Sequence, residues 1–264
     1  MSRVEIPAAA GTDMSAVAAT EVTAVVGTQG AALGAGVPVA GRGAPVTSSE
    51  TNAAWIVRLG AVLLALAGVS MAAGGALHPH GSGDTLDEAL TSMLGSPLWN
   101  LSHLLVLAGL LIGVAAFVLL RRSDVFGPSL RPWLTAVIVT WSLGAVETVP
   151  HLLAGGEHEA QAAGGPTPMT DAHVMLSTVT TPLLALATAL LAVQLARQSR
   201  TVAAWVLAGF AILGLLTFGL ASPLLAITGN PAVSALFPGQ MLIDVWLVGT
   251  AIRLLWASRG RPAR

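Results

Sequence analysis

Six long apolar runs constrain the fold of this chain more than any other feature of its sequence. A helix needs about 20 apolar residues to cross the hydrocarbon core of a bilayer, and every run reaches that length. The runs are continuous rather than alternating, which favours helices over the strands of a barrel. The sequence therefore predicts an all-α, polytopic membrane protein, a six-transmembrane-helix bundle. Its predicted spans are about 54–77, 99–120, 133–154, 173–196, 203–226 and 236–257.

The composition supports a lipid environment and excludes several kinds of chemistry. Only 9% of the residues are charged, against roughly 25% in soluble domains. The net charge of -1 favours no nucleic acid partner, so the expected partner is the lipid bilayer, and the sequence identifies no protein partner. The chain has no cysteine, which excludes thiolate metal sites and iron–sulfur clusters. All 12 basic residues are arginine, so no lysine Schiff base can form.

The flanks and connections predict the domain limits and the orientation. Residues 1–52 are rich in small and polar residues without helical periodicity, which is typical of a disordered tail. Residues 53–258 form the predicted membrane domain, and 259–264 form a short basic tail. Arginines cluster at the termini and in the second and fourth connections, whereas the other three connections hold no arginine and the first and third of the five hold acidic residues. The positive-inside rule then places both termini in the cytoplasm, with the protein in the plasma membrane.

All six histidines fall at the predicted side opposite the arginines. They are His78 and His80 after the first run, His103 in the second, His151 in the third, His158 in a loop and His173 in the fourth. Because these positions lie at similar predicted depths, we expect the histidines to ring the extracytoplasmic mouth of the bundle.

The first two helical hairpins resemble each other, which suggests a bundle built from repeated helical hairpins. Each has a histidine beside a proline, an acidic glycine-rich loop, a second histidine and a closing arginine. The paired histidines are His78 with His103 and His151 with His173. A third hairpin has Gln240 near the place of His103. Common ancestry and chance similarity between apolar helices both remain open.

Four of these histidines suggest a cofactor site. Imidazole binds zinc, copper and iron, and it also ligates haem. We predict metal ligation by His78, His103, His151 and His173, with His103 and His173 as axial ligands if the cofactor is haem. Haem b, copper and zinc are the candidate cofactors. The alternative is that each histidine is simply an amphipathic interfacial residue.

Two acidic residues lie within the apolar runs, where an ionisable side chain is a functional candidate. Glu147 is one helical turn before His151, so it could orient that imidazole, bind metal or act as a general base. It is the candidate catalytic residue. Asp244 follows Gln240 by one turn and is expected to face the bundle interior, in a structural hydrogen bond or in a functional role.

Two further patterns concern the same end of the bundle. His173, Ser177 and Thr180 share one helix face, which would suit either a water-filled cavity or contacts between helices. Trp99 is expected at the outer interface, in the aromatic belt that membrane proteins place at headgroup level.

Four functions stay open at this level. The first is a membrane protein that binds a metal ion or haem, with redox activity included. The second is a metal-dependent intramembrane enzyme with Glu147 as the base. The third is a small proton- or cation-coupled transporter that uses Glu147 and Asp244, and the fourth is a structural membrane subunit without a cofactor.

Overall fold

The computed structural model describes residues 48–259, with side chains from Ala54 onward, and within that range it contains helices and no strands. Most of the predicted N-terminal tail, residues 1–47, lies outside the described residues, as do residues 260–264. The helices are α1 (Ser48–Leu77), α2 (Leu86–Leu94), α3 (Trp99–Ser123), α4 (Arg131–Leu153), α5 (His158–Ala162), α6 (Pro168–Ser199), α7 (Val202–Gly214), α8 (Leu220–Thr228) and α9 (Gln240–Arg259).

Six stretches are long and apolar enough to cross a membrane, which confirms the six predicted spans. They are Ala54–Leu77, Trp99–Ser123, Pro128–Ala162, Pro168–Ser199, Val202–Thr228 and Pro231–Arg259. Some are longer than predicted because helical turns continue into polar sequence. The fourth begins at Pro168, whose fixed φ suits the first turn of a helix. The sixth begins with a 3₁₀ stretch, Pro231–Gly239, that leads into α9.

The six spans form a closed ring. Each packs against the span before it and the span after it, and α9 also packs against α1. Successive spans run in opposite directions, so all the histidines lie at one end of the ring and nearly all the described arginines at the other. We call these the histidine end and the arginine end. At the arginine end, the Arg58 guanidinium donates to the Ser258 carbonyl at 3.2 Å and that of Arg253 to the Thr201 hydroxyl at 3.0 Å.

Small residues bring α1 and α3 into close contact. A Cβ added at Gly74 would lie 2.7 Å from the Ser102 carbonyl oxygen, and one added at Gly109 would lie 2.4 Å from Cγ of Met71. Helices in lipid associate by such tight packing, because lipid tails offer no hydrophobic driving force between helices. The contact fixes the register of the two helices that carry His78 and His103.

Large side chains fill the interior of the ring. Phe117 and Trp141 pack edge to face with centroids 5.3 Å apart, and the Trp141 indole N–H donates to the Thr188 hydroxyl at 3.0 Å. Trp246 is also buried. Many large apolar side chains instead lie exposed on the outer faces of the spans. This distribution fits a ring surrounded by lipid.

Short helices cover part of the histidine end. The α1–α3 connection holds α2, which packs against α5 of the α4–α6 connection. α2 begins with a capping box: the Thr85 hydroxyl accepts from the Glu88 amide at 3.2 Å, and the Glu88 carboxylate accepts from the Thr85 amide at 3.1 Å. Backbone N–H bonds from Asp84 and Thr85 lower the pKa of the Glu88 carboxyl from its ordinary value.

Candidate metal centre

Four histidines from four different helical segments meet at the histidine end. His78 directly follows α1, which ends at Leu77 because the residue before a proline disfavours helical geometry. His103 lies in the second turn of α3, His151 in the last turn of α4 and His173 in the second turn of α6. Closely packed neighbouring helices therefore bring all four rings to one level.

The rings are in direct contact. Nε2 of His103 and Nε2 of His151 are 3.0 Å apart. His151 and His173 stack with centroids 3.4 Å apart, and His78 meets His103 edge-on at 4.9 Å. His103 is the most enclosed of them, with 1% of its surface exposed. The four predicted ligand histidines thus form one cluster.

Glu147 belongs to the same cluster, and it contacts a different ring from the one that its sequence spacing suggested. The spacing pointed to His151 of the same helix, but a carboxylate oxygen of Glu147 bonds instead to Nδ1 of His173 in α6. Glu147 is 8% exposed. A hydrogen bond from the neighbouring helix therefore satisfies this carboxylate inside an apolar region.

The cluster contains two groups whose donor atoms could hold a metal ion. We call His78, His103 and His151 the outer trio, because it lies nearer the helix ends. Glu147, His151 and His173 form the inner trio. Within each trio the candidate ligand atoms all lie within 4.8 Å of one another, and His151 belongs to both.

Three of the four rings have Nδ1 bound to an oxygen. His103 Nδ1 lies 2.6 Å from the Trp99 carbonyl, and His78 Nδ1 lies 2.9 Å from the Pro79 carbonyl. His173 makes the third such bond, to Glu147. A carbonyl only accepts, so Nδ1 of His78 and Nδ1 of His103 carry the proton and leave the lone pair on Nε2, which in His103 faces Nε2 of His151. Metal-binding histidines are commonly oriented in this way.

Burial keeps His78 in the form that binds metals. Removal from water lowers the pKa of its imidazole below the ordinary value of 6.5, an effect that the bond to the Pro79 carbonyl partly opposes. The ring is therefore neutral at neutral pH. It also lines an open hollow of about 360 Å³ with His80, Ser82, Ser92 and Ser96, which gives the outer trio a route to solvent.

Trp99 is part of this site, which the sequence did not predict. It was expected in an interfacial belt, but it is 4% exposed. Its ring centroid lies 4.1 Å from that of His103 and 5.2 Å from that of His151. Its indole N–H donates to the Leu152 carbonyl at 3.3 Å. The only sequence signal for this role was the position of Trp99 four residues before His103, which allows the Trp99 carbonyl to meet Nδ1 of His103.

The remaining two histidines lie outside both trios. His80 is exposed in the α1–α3 connection. His158 packs against Gly95, where an added Cβ would come within 2.5 Å of the imidazole Nε2. Next to it, Glu157 accepts from the backbone amides of Met169 and Thr170, each at 2.8 Å. Glu157 thereby caps the start of α6.

The polar stripe below His173 is satisfied within its own helix. The Ser177 hydroxyl donates to the Val174 carbonyl at 3.0 Å, and the Thr180 hydroxyl donates to the Leu176 carbonyl at 3.0 Å. Both residues are buried. These bonds stay inside α6, so the stripe does not supply further donors to the centre.

Asp244 lies apart from the centre, in α9. It is 2% exposed, and within the described part of the chain neither of its carboxyl oxygens has a hydrogen-bond partner. The nearby Gln240 amide donates to the Met71 carbonyl of α1 at 3.3 Å. The sequence correctly placed Asp244 in the bundle interior.

The fold and the cluster define a class: a multi-pass helical bundle suited to a membrane, with histidine groups that could hold a metal. No known protein family, curated protein or solved structure matches the chain. The function is therefore argued from the geometry of the centre.

Proposed function

We propose that this protein is an integral membrane protein that binds a transition metal ion, zinc or copper, at its histidine end. The ligands are drawn from His78, His103, His151 and His173, with Glu147 beside them. The observation that carries the proposal is the set of Nδ1 bonds to oxygen in three of these four rings. Each bond orients its ring in the way that an oxygen acceptor behind a metal-bound histidine does.

The spacing of the donors suits a small ion. Nitrogens bound at 2.0–2.1 Å in a tetrahedral site lie about 3.3 Å from one another. His103 Nε2 and His151 Nε2 are 3.0 Å apart, and the other donors of each trio lie within 4.8 Å. Small side-chain rotations would complete the coordination without moving a helix. Imidazole with one carboxylate suits zinc and copper alike.

The same contacts favour a metal ion over haem. A haem is a flat macrocycle, and axial histidines bind its iron from opposite faces. The rings of His151 and His173 stack at 3.4 Å, and Trp99 covers His103 at 4.1 Å. The direct ring contacts leave no slot for a porphyrin between the predicted axial pair, His103 and His173.

The position of Glu147 supports a role in metal binding better than a role as a catalytic base. One of its oxygens already accepts from His173, whereas a general base must reach the proton of a substrate or water. The arginine distribution supports a plasma membrane protein with both termini cytoplasmic and the centre at the extracytoplasmic face.

Metal content of the purified protein tests the proposal, and His151→Ala is the sharpest variant because His151 belongs to both trios. We expect detergent-purified wild-type protein to carry near-stoichiometric zinc or copper by elemental analysis. His151→Ala should lose most of it, because metal ligands contribute directly to affinity. His80→Ala is the matched control, since it removes an exposed histidine outside both trios.

Two outcomes would overturn the proposal. One is a wild-type protein that carries no metal and takes up neither Zn²⁺ nor Cu²⁺ when incubated with them. The other is a His151→Ala variant that retains as much metal as the wild type. A Soret band in the visible spectrum of the purified protein would restore haem as the cofactor.

A further inference from the structure

The two trios overlap at a single residue, and this overlap suggests how an ion uses the site, provided that the proposed metal function holds. His151 contributes a candidate ligand atom to each trio. Its Nε2 is 3.0 Å from Nε2 of His103 in the outer trio, and its ring stacks on His173 of the inner trio. An ion bound to His151 therefore has two alternative sets of partners within reach.

The trios differ in charge. The outer trio consists of imidazoles alone, whereas the inner trio includes the carboxylate of Glu147. A negative ligand in a region shielded from water attracts a divalent cation strongly, because the effective dielectric constant is low there. A divalent ion should therefore be held more tightly in the inner trio.

The trios also differ in access. His78 of the outer trio lines the open hollow, together with His80 and three serines. Glu147 of the inner trio lies one helical turn below His151, about 6 Å further along α4. His78 is thus the ligand that an ion in the hollow meets first.

Two ions at once are disfavoured. Divalent ions in adjacent trios would repel each other with four times the energy of unit charges at that distance. The five residues of the cluster include one carboxylate, that of Glu147. The charge of the cluster matches one divalent ion better than two.

We propose that the centre is a two-position site for a single ion. The outer trio captures the ion from the hollow, and His151 keeps hold of it while His78 and His103 are exchanged for Glu147 and His173. Zn²⁺ or Cu²⁺ moves inward without a change of oxidation state. The exchange needs only side-chain movement, since the ligands of both positions already surround His151.

Copper titration of full-length, metal-free protein in detergent tests this inference. Bound Cu²⁺ is counted by elemental analysis, and electron paramagnetic resonance reports how many nitrogens coordinate it. His78→Ala removes a partly exposed outer ligand that lies outside the helices. Glu147→Gln removes the inner charge but keeps an oxygen that can accept from His173. His151→Ala affects both positions, and His80→Ala is the control.

We expect the wild type and His80→Ala to bind one Cu²⁺. His78→Ala should still bind one, with nitrogen and oxygen ligands of the inner trio. Glu147→Gln should also bind one, with three nitrogens from the outer trio. His78→Ala should keep most of the affinity because the tighter inner trio is intact, whereas Glu147→Gln should lose roughly 10- to 100-fold, comparable to losing a supporting partner of a metal site. His151→Ala should lose more than either.

Other results would separate the two proposals. If His78→Ala and Glu147→Gln each abolish binding as fully as His151→Ala, while circular dichroism shows intact helices, the site is a single fixed one and the two-position inference is wrong. Two bound Cu²⁺ in the wild type would also overturn it, in favour of a dinuclear centre. Absence of copper binding in the wild type would overturn the metal function itself.

Discussion

Glu147 in α4 and Asp244 in α9 are both carboxyl side chains buried among apolar helices, yet their surroundings differ. Each lies one turn from another polar residue of its own helix, His151 for Glu147 and Gln240 for Asp244. Glu147 bonds to His173 of the neighbouring helix α6. Within the described chain, both oxygens of Asp244 lack a partner.

The difference comes from the neighbouring helix and not from the helix that carries the carboxyl. α6 presents an imidazole to α4 at the level of Glu147. α9 meets α1 at Gly68, where an added Cβ would lie 3.0 Å from the Asp244 carbonyl oxygen. At this close contact α1 presents a glycine, which has no side chain to accept or donate. A buried carboxyl therefore gains a partner only where the adjacent span supplies one.

The packing also weighs against a transport path that leads from the carboxyls towards the arginine end. Phe117, Trp141 and Trp246 are large buried side chains. Trp141 lies further from the histidine end than Glu147 does in α4, as Trp246 does relative to Asp244 in α9. A titratable path needs polar groups or water between its members, so these side chains favour an apolar interior below the carboxyls.

The largest expected effect on stability is at the paired carboxyl. Glu147→Leu leaves Nδ1 of His173 without its acceptor, which costs about 1–3 kcal/mol for a buried polar group. The thermal midpoint of the metal-free Glu147→Leu protein in detergent should be lower than that of the wild type. The midpoint of Glu147→Gln, which keeps an acceptor oxygen, should fall less. Equal midpoints for the leucine variant and the wild type would show that the pair does not stabilise the fold.

The opposite sign is expected at the unpaired carboxyl. Asp244→Leu removes a buried polar group that has no hydrogen-bond partner among the described residues, so it should raise the stability of the protein by about 1–2 kcal/mol. Asp244→Asn is the control, because it keeps a polar group at the same place and should give no comparable gain. Destabilisation by Asp244→Leu in a thermal melt would mean that the carboxyl has a stabilising partner.

The smallest expected effect concerns an exposed acid, Glu88 in the capping box of α2. Its folded pKa is lowered from the ordinary 4.5, so its contribution to stability is present above pH 4.5 and is lost as the pH falls through the lowered value. Thr85→Ala removes the other half of the box and should cost about 1 kcal/mol. Hydrogen exchange of the α2 amides, measured at neutral and at acidic pH, reports both effects. Equal exchange rates in Thr85→Ala and the wild type would contradict them.

Sequence patterns predicted the six spans well because hydropathy over about 20 residues is a strong signal. Span ends were less predictable, since α6 starts in the polar segment after Pro168 and α9 follows a 3₁₀ stretch. The depth of the histidines followed from the spans. The Glu147–His173 bond did not, because it depends on how α4 and α6 are rotated about their axes.

Trp99 shows a second limit of the sequence. An interfacial tryptophan and one that packs over imidazoles have the same position relative to an apolar run. Only the fold of the connections separates them, and here Trp99 lies in a small cluster with Leu94 and Ala154. The sequence thus predicted the depth of Trp99 along the bundle but not its contacts.

The contact between α1 and α9 has a consequence for biosynthesis. During synthesis α1 leaves the ribosome before α9, with which it shares one of its faces, and the Arg58 guanidinium of α1 donates to the Ser258 carbonyl of α9. In a nascent chain whose spans enter the bilayer in order, that face of α1 must contact lipid or insertion machinery until α9 has been made. Termination before α9 would leave α1 without this neighbour.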